Sequence, residues 1–219
     1  MDADRKALQA ALKACGKVAP GRGPRPILQD VLVRPGRAGI AECIATDGEA
    51  WIAYAVPVTG EVPAFAVPCA VLADALKGSK GPTVALALLD GKLTVNGATL
   101  HTDDPADFPA VPEPAIGNPL SSWDAATLAG ALERTLFAAA RDVARYAFNG
   151  LLLDIKQGGT AFCGTDGRRI AVQETGCNGL PERAVVLPAA PLKLLRALLG
   201  KRPEGDVTGE LREDGVRFQ

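Results

Sequence analysis

Ala45-Thr46-Asp47-Gly48 and Gly164-Thr165-Asp166-Gly167 are two copies of one turn sequence, 119 residues apart. In each copy two apolar runs precede the turn and a third apolar run follows it. Asp followed by Gly is typical of a tight corner, because Asp bonds to the backbone after it and Gly accepts a positive φ. The same corner in the same surroundings, found twice, indicates an internal repeat.

Two further landmarks follow the corners in the same order. Val67-Pro68-Cys69-Ala70 and Leu187-Pro188-Ala189-Ala190 each open an apolar, helix-periodic stretch, and their prolines are 120 residues apart. Asp90-Gly91 and Asp214-Gly215 each fit a hairpin turn, at an offset of 124 residues. The sequence therefore predicts two copies of a domain of about 120 residues, which is an ordinary domain size.

Both copies show the same order of predicted elements, which is a helix, three strands, a second helix and more strands. Leucines four residues apart mark the first helix of each copy, and Asp124 is the expected N-cap in the second copy. The predicted helices are 5–14, 70–76, 125–139 and 191–199, and the predicted strands include 27–33, 40–46, 51–56, 151–155, 160–163 and 169–173. Clustered strands with few helices favour an α+β fold with antiparallel sheets.

A proline-rich segment separates the two copies. Its prolines are Pro105, Pro109, Pro112, Pro114 and Pro119. Such a composition, with acids and few strand formers, is typical of a linker. We expect a first domain at 1–104, a linker at 105–119 and a second domain at 120–219. The sequence ends after Val216-Arg217-Phe218, where the first copy has its closing strand, so we expect the second domain to be incomplete.

Charge is distributed unevenly along the 219 residues, although the net charge is only −1. Residues 1–25 carry a net charge of +4, residues 26–118 carry −6 and residues 119–219 carry +1. A basic start followed by an acidic middle allows a positive face on a nearly neutral protein, and phosphate contacts require such a face. Ordinary solvated helix faces would produce the same pattern.

The cysteine and histidine content disfavours metal and disulfide chemistry. Five cysteines are scattered without CxxC spacing, and His101 is the single histidine. We therefore expect reduced thiols, a cytoplasmic location, no metal and no cofactor. The first ten residues have no apolar core of a signal peptide, and no run of 18 apolar residues occurs.

Several motifs in this order resemble the bacterial DNA polymerase III beta subunit (sliding clamp) family. Beyond the two corners, they include Arg22-Gly23-Pro24-Arg25-Pro26-Ile27-Leu28, Asp107-Phe108-Pro109, Arg145-Tyr146-Ala147-Phe148-Asn149-Gly150 and Thr165-Asp166-Gly167-Arg168-Arg169-Ile170-Ala171. The resemblance covers the first domain and most of the second domain of a family whose subunits have three. It implies tandem clamp domains with helices on an inner face and antiparallel sheets outside.

The resemblance also implies a function, which is to act as a non-catalytic processivity factor in DNA replication. A ring oligomer would encircle duplex DNA without regard to sequence and would tether the replicative polymerase and clamp-loader subunits. The DNA-binding residues carried over from the family are Arg22, Arg141 and Tyr146. A groove for short clamp-binding peptides is carried over to Phe148, Thr165, Gly167, Arg168, Arg169 and Ile170.

The sequence departs from the family at several places. Cys69-Ala70 and Ala189-Ala190 stand where family members often carry basic residues, and we expect no short opening strand ahead of Asp2. A reduced homologue that binds peptides without encircling DNA therefore remains an alternative, beside a fragment of a longer clamp.

The same residues are also compatible with structural roles or with catalysis. Both Thr-Asp-Gly corners fit a purely structural turn, and one of Tyr146 and Phe148 fits the core. An enzyme that uses Cys163 or Asp166 as a nucleophile is a further alternative. It is disfavoured because Asp166 has no neighbouring base in the sequence and because Asp47 is its counterpart in the repeat.

Overall fold

The computed structural model describes residues 1–112, 118–140, 149–176, 182–212 and 215–219. The chain divides into two compact units, Met1–Pro112 and Glu113–Gln219. The first unit contains β1 (Asp2–Asp4), α1 (Arg5–Cys15), β2 (Asp30–Pro35), β3 (Ile40–Thr46), β4 (Trp51–Thr59), β5 (Phe65–Pro68), α2 (Cys69–Ala75), β6 (Thr83–Leu89), β7 (Lys92–Val95) and β8 (Ala98–His101). The second unit contains β9 (Asn118–Asp124), α3 (Ala125–Thr135), β10 (Gly150–Lys156), β11 (Gly159–Thr165), β12 (Ile170–Gly176), β13 (Arg183–Pro188), α4 (Ala189–Leu199), β14 (Asp206–Leu211) and β15 (Val216–Phe218).

One antiparallel sheet runs through the first unit, in the order β5-β2-β3-β4-β1-β6-β7-β8. Helices α1 and α2 pack against each other, and Leu8, Leu12 and Leu72 are buried with the inward side chains of the strands. The short strand β1 joins the two halves of the sheet, because it pairs with both β4 and β6. The expectation that no opening strand exists is therefore wrong, since Asp2–Asp4 itself forms one.

Two antiparallel sheets form the second unit, in the orders β12-β11-β10-β13 and β15-β14-β9. Helices α3 and α4 pack against each other, and Leu128, Leu132 and Phe162 belong to one buried cluster with Trp123. The indole N–H of Trp123 donates to Oγ1 of Thr160 at 3.1 Å, so the largest core side chain keeps its polar group satisfied.

The two units share one order of elements, from β1 to β7 in the first unit and from β9 to β15 in the second, which confirms the predicted duplication. Strand β8 has no counterpart among the described residues of the second unit. Asp4 and Asp124 cap α1 and α3, and each carboxylate accepts a backbone N–H three residues later at 2.8 Å. Pro68 and Pro188 occupy the N-cap positions of α2 and α4. Proline suits the start of a helix, where its missing N–H removes no internal hydrogen bond.

Several predicted boundaries differ from the structure by up to four residues, and two of them have clear local reasons. The predicted strand 27–33 begins only at Asp30, because Pro26–Gln29 forms a 3-10 turn with proline at its first position. The predicted helix 125–139 ends at Thr135 and continues as the 3-10 turn Leu136–Ala138. Both differences lie at helix or strand ends, where period-based predictions are least accurate.

The segment after β8 packs on the first unit. Asp103 donates its backbone N–H to the carbonyl of Ala66 at 2.9 Å, and Pro105–Asp107 forms a 3-10 turn. Phe108 is buried against Leu32 and Ile44, on the sheet face opposite the helices. Residues 113–117 lie outside the described residues, so the linker boundaries at 105 and 119 stay a prediction.

Candidate nucleic-acid and peptide interfaces

Helix α1 presents its lysines on one exposed surface, which we call the lysine stripe. Lys6 and Lys13 lie seven residues apart on the helix, and Lys17 lies just after the helix ends at Cys15; all three are exposed. Seven residues make nearly two turns of an α-helix, so the first two lysines leave it in almost the same direction. Leu8 and Leu12 are buried on the opposite side. Helix α1 contains no acidic residue between Lys6 and Lys13.

Arg22 lies in the exposed loop that follows the lysine stripe. Val18 is buried at the start of this loop, and residues 21–26 are all exposed. Arg25 lines an open pocket together with Asp103 and Asp107. Arg22 is therefore the predicted DNA-binding residue that the structure places in solvent, next to the stripe in sequence.

Helix α3 has no such stripe on the equivalent surface. The positions 120 residues after Lys6 and Lys13 hold Ala126 and Glu133. Glu133 accepts a hydrogen bond from Arg196 of α4 at 2.7 Å. This hydrogen bond, and next the charge of Arg196, lower the pKa of the Glu133 carboxyl. The second repeat thus uses this position to tie its two helices together, and it leaves no row of cations there.

The corner Thr165–Ile170 is held by a closed hydrogen-bond network. Oγ1 of Thr165 donates to the carbonyl of Arg169 at 2.8 Å and accepts the N–H of Gly167 at 3.1 Å. Oδ1 of Asp166 accepts the N–H groups of Arg168 and Arg169, both at 3.0 Å. Gly167 has a φ of 82°, which a residue with a side chain rarely adopts.

The first corner contains the same network. Thr46 bonds to the carbonyl of Ala50 and to the N–H of Gly48, and Asp47 accepts the N–H groups of Glu49 and Ala50. Since both copies make these bonds, the Thr, Asp and Gly of each corner have a structural role. The side chains that differ are Arg168, Arg169 and Ile170, which stand where the first corner has Glu49, Ala50 and Trp51.

Arg169 is fixed at the edge of the second corner by two neighbours. Its Nε donates to Oδ2 of Asp166 at 3.0 Å, and its guanidinium carbon lies 5.7 Å from the ring centre of Phe137. The backbone N–H of Arg168, and after it that of Arg169, hold the pKa of Asp166 below its usual value. Phe137 is 58% exposed, so the stacked pair forms a surface rather than part of the core.

Gly164 sets the distance between this corner and α3. A Cβ at this position would lie 2.5 Å from the carbonyl oxygen of Thr135 and 2.9 Å from Cδ2 of Leu151. Real Cβ atoms do not approach other heavy atoms so closely, so the end of α3 can pack this closely on β11 only with glycine at position 164. The first repeat has Ala45 at the equivalent position.

The structure brings together Thr165, Gly167, Arg168, Arg169 and Ile170 of the predicted groove, since they share one corner. Ile170 is 67% exposed, as a contact residue for an apolar ligand must be. The other groove residue, Phe148, and the predicted DNA-binding residues Arg141 and Tyr146 lie outside the described residues. Their roles stay predictions.

Sequence reasoning misses two features of these surfaces. In the sequence analysis, Lys6 and Lys13 count only toward the net charge of residues 1–25. Their spacing of seven residues on a predicted helix is nevertheless sufficient to place both on one side of that helix. Phe137 falls within the longer predicted helix 125–139, and nothing in a single sequence indicates that its ring meets Arg169.

Neither candidate nucleophile has the surroundings of a catalytic group. The Asp166 carboxylate is engaged in the corner network, as Asp47 is in the first repeat. Cys163 lies on β11 opposite Leu152 and Val172. Within the described ranges, no group of three His, Cys, Asp or Glu side chains could hold a metal ion. No helix in the described part of the chain is both long and apolar enough to cross a bilayer.

Comparisons with known proteins identify relatives over both repeats. Residues 123–219 match the family model of the DNA polymerase III beta subunit, central domain. The beta sliding clamp of Vibrio cholerae is 28% identical over 208 residues, covering 91% of this chain and 56% of the relative. The chain thus spans about half the length of this curated relative.

Solved structures resemble the whole chain. The DnaN sliding clamp (DNA polymerase III subunit beta) from Pseudomonas aeruginosa bound to griselimycin superposes with a TM-score of 0.85 at 26% identity, covering 100% of this chain and 61% of that one. The DNA polymerase III beta subunit from Thermotoga maritima gives a TM-score of 0.85 at 21% identity, with 100% and 60% covered, which shows the shared fold.

Proposed function

Because this chain belongs to the family of the DNA polymerase III beta subunit, the beta sliding clamp, we propose that it tethers replication proteins to duplex DNA without catalysing a reaction. The lysine stripe of α1 carries this proposal. A ring of such subunits would be linked to DNA topologically, so weak contacts are sufficient and sliding stays possible.

The stripe suits a duplex that is contacted without regard to sequence. From Lys6 to Lys13 is seven residues, or about 10 Å along α1. This length matches about three base-pair rises of 3.4 Å, and Lys17 follows just beyond the end of the helix. Lysine ammonium groups at this spacing meet phosphates, and phosphate contacts position a protein without reading bases. Arg22 adds a further cation just beyond the stripe, and the α3 surface, with Ala126 and Glu133, adds none.

Salt dependence of DNA binding tests this part of the proposal. Replacing Lys6, Lys13 and Lys17 together by alanine removes three phosphate contacts, so the slope of log K against log salt should fall by about 2.7, at about 0.9 per contact. Lys92→Ala is the matched control, because Lys92 is exposed on β7 next to the inward-facing Leu93. Equal slopes for the triple variant and the control, or a strong preference for one duplex sequence, would refute the role of the stripe.

The second part of the proposal is that the corner Thr165–Ile170, with Phe148, binds short apolar-aromatic peptides of the replicative polymerase and the clamp loader. Gly167 lets a ligand approach the backbone, Ile170 offers exposed apolar area, and Arg168 and Arg169 offer donors at the edge. The griselimycin complex of the Pseudomonas aeruginosa relative supports ligand binding by a protein of this fold.

A labelled motif peptide titrated against the chain tests the corner. Ile170→Asp should weaken binding about tenfold or more, because burial of such a side chain is worth about 1.5–3 kcal/mol. Leu89→Asp is the matched control, since Leu89 is 73% exposed at the end of β6 in the first unit. If both variants bind as the unaltered chain does, the corner is not the peptide site.

A further inference from the structure

Residues 103–111 follow β8 and lie on the sheet face of the first unit opposite its helices; we call them the strap. Two contacts fasten it. At its start, Asp103 forms an isolated antiparallel bridge with Ala66, whose carbonyl accepts the Asp103 N–H at 2.9 Å. Further along, Phe108 is buried, and its ring meets Trp51 edge-on with the ring centroids 6.3 Å apart. The strap is therefore held by one polar fastening and one apolar fastening.

A buried carboxyl group lies against the start of the strap. Asp30, the first residue of β2, is 1% exposed, and its Oδ2 accepts no hydrogen bond from a donor in the described residues. Its carboxyl group shares a hydrogen bond with that of Asp103, which is an exposed residue. Ionised carboxylates only accept hydrogen bonds, so this contact exists only while the pair holds a proton. The polar fastening of the strap thus depends on one proton.

The interior side of this pair disfavours a negative charge on Asp30. The thiol of Cys69, at the first position of α2, is buried beside it. Burial, and next the charge of Asp30, raise the pKa of Cys69 to about 11, so this thiol is neutral near pH 7. Burial, then the hydrogen bond and charge of Asp103, raise the pKa of Asp30 to about 7. Desolvation and a neighbouring carboxylate both oppose ionisation, so the pair retains its proton well above the usual range of a carboxyl group.

The solvent side of the pair carries more carboxylates than cations among the described residues. Arg25 lines an open pocket with Asp103 and Asp107. Asp104 accepts a backbone N–H within the strap's own 3-10 turn. All of these residues are exposed, so water and salt screen their charges. With three carboxylates beside one guanidinium, the solvent side does not offset the cost of a charge on Asp30.

We propose that the Asp30–Asp103 pair is a proton-operated latch, which holds the strap on the first unit while the pair shares a proton and releases it when that proton is lost to water. Loss of the proton leaves two adjacent negative charges, one of them buried. The repulsion is relieved when Asp103 moves into solvent and water reaches Asp30, and the bridge to Ala66 opens with this movement. Because the strap ends the first unit, its release adds residues 103–111 to the chain that leads into the second unit. This regulation involves none of the residues proposed to contact DNA or peptides.

The direction of the pH effect follows from the proton count. Between about pH 4 and 7 the closed strap holds a proton that the open strap has released, so opening becomes more favourable as pH rises and levels off above 7. One proton limits the increase to about tenfold per pH unit. Since water reaches Asp103 even in the closed state, we expect several-fold per unit.

Amide hydrogen exchange of the full chain, measured by NMR, tests the latch. The protection factor compares the observed exchange rate with that of an unstructured amide, so it removes the direct effect of pH on exchange. The Asp103 N–H reports the bridge to Ala66, and the N–H of Thr102, which donates to the carbonyl of Gly91 at 3.2 Å, is the neighbouring control. Protection of Asp103 should fall several-fold per unit from pH 5 to 7 and level off by pH 8, whereas protection of Thr102 should stay constant.

Three variants identify the group that titrates. Asp30→Asn and Asp103→Asn each replace one carboxyl by an amide that donates to the other without a titrating proton. Protection at position 103 should therefore lose its pH dependence in both. Asp103 is exposed, so its variant tests the latch even where Asp30→Asn disturbs the interior. Asp107→Asn is the matched control, because it removes a carboxyl group of the strap and keeps the pair, and it should retain the pH dependence of the unaltered chain.

Each of three results would overturn the proposal. The first is protection of Asp103 that does not change between pH 5 and 8. The second is an unchanged pH dependence in Asp30→Asn and Asp103→Asn, since another group would then control the strap. The third is an equal fall in protection at Thr102, which would mean that the unit opens as a whole and that the strap has no release of its own.

Discussion

Asp30→Asn is expected to stabilise the first unit above pH 7 and to flatten its pH dependence. Asp30 is 1% exposed, and its Oδ2 accepts no hydrogen bond from a donor in the described residues. Its neighbour is the carboxyl group of Asp103, and two carboxyl groups can hydrogen-bond only if one holds a proton. Burial, then the hydrogen bond and charge of Asp103, raise the pKa of Asp30 from 3.8 to about 7.

The magnitude follows from proton linkage. Between about pH 4 and 7 the folded state holds a proton that the unfolded chain has released, so the free energy of unfolding falls as pH rises and levels off above 7. A shift of about three pKa units corresponds to about 4 kcal/mol. Since Asp103 is exposed and water reaches that side of the pair, we expect about half of this value. Asparagine has no proton to lose and can donate its amide N–H to Asp103, so the variant should gain about 2 kcal/mol at pH 8 and little at pH 5.

Denaturation by urea between pH 5 and 8 measures this effect. The two tryptophans of the chain lie in different units, so Trp51 fluorescence in a Trp123→Phe background reports the first unit. Asp107→Asn is the matched control, because Asp107 is an exposed carboxyl of the same neighbourhood. The reasoning fails if Asp30→Asn keeps the pH slope of the unaltered chain, or if it is less stable than that chain at pH 8.

Three further predictions concern packing, hydrogen bonding and thiol reactivity. Gly164→Ala should destabilise the second unit by about 1–3 kcal/mol through overpacking, whereas Gly176→Ala, with no atom within 4 Å of its Cβ, should be nearly neutral by thermal denaturation. Thr46→Val should lower the free energy of unfolding of the first unit by about 1–3 kcal/mol, because Thr46 is buried and its partners each lose a hydrogen bond. Thr165→Val should lower that of the second unit by less in the same assay, since water reaches the second corner. Equal losses for the two variants would contradict this prediction. Cys69, whose pKa burial raises to about 11, should become reactive toward alkylating agents only at alkaline pH, and mass-spectrometric mapping at pH 7 should find Cys163 modified before it.

The duplicated architecture is predictable because its signals are local. A Thr-Asp-Gly corner encodes its own hydrogen bonds within five residues, and Asp124 needs only the N–H of Thr127 to cap its helix. Proline before α2 and α4 acts in the same short-range way. Such signals can be recognised in a single sequence because no distant partner is required. Finding each signal twice, at nearly the same offset, makes the prediction more specific.

The parts that escape prediction depend on pairs that are distant in sequence. The need for glycine at 164 arises from the carbonyl of Thr135, twenty-nine residues earlier. The raised pKa of Asp30 requires Asp103, which reaches it only because the segment after β8 returns to β5. The exposure of Leu152 cannot be inferred either, since its strand is largely apolar and alternation alone does not say which faces are covered.

The repeat itself separates structural residues from candidate functional residues. Positions that agree between the units, such as Asp47 with Asp166, make the same bonds and therefore maintain the same fold twice. Positions that differ while the backbone is kept are not constrained in this way. The first unit has Lys13 where the second unit has Glu133, so the positive helix surface lies on the first unit. The second unit has Arg168 where the first unit has Glu49, so the corner with a cationic residue beside exposed Ile170 lies on the second unit. A chain in which both units had one task would show similar surfaces at these places. If the first unit contacts phosphates and the second unit contacts peptides, as we propose, the DNA and peptide experiments should respond to separate sets of substitutions.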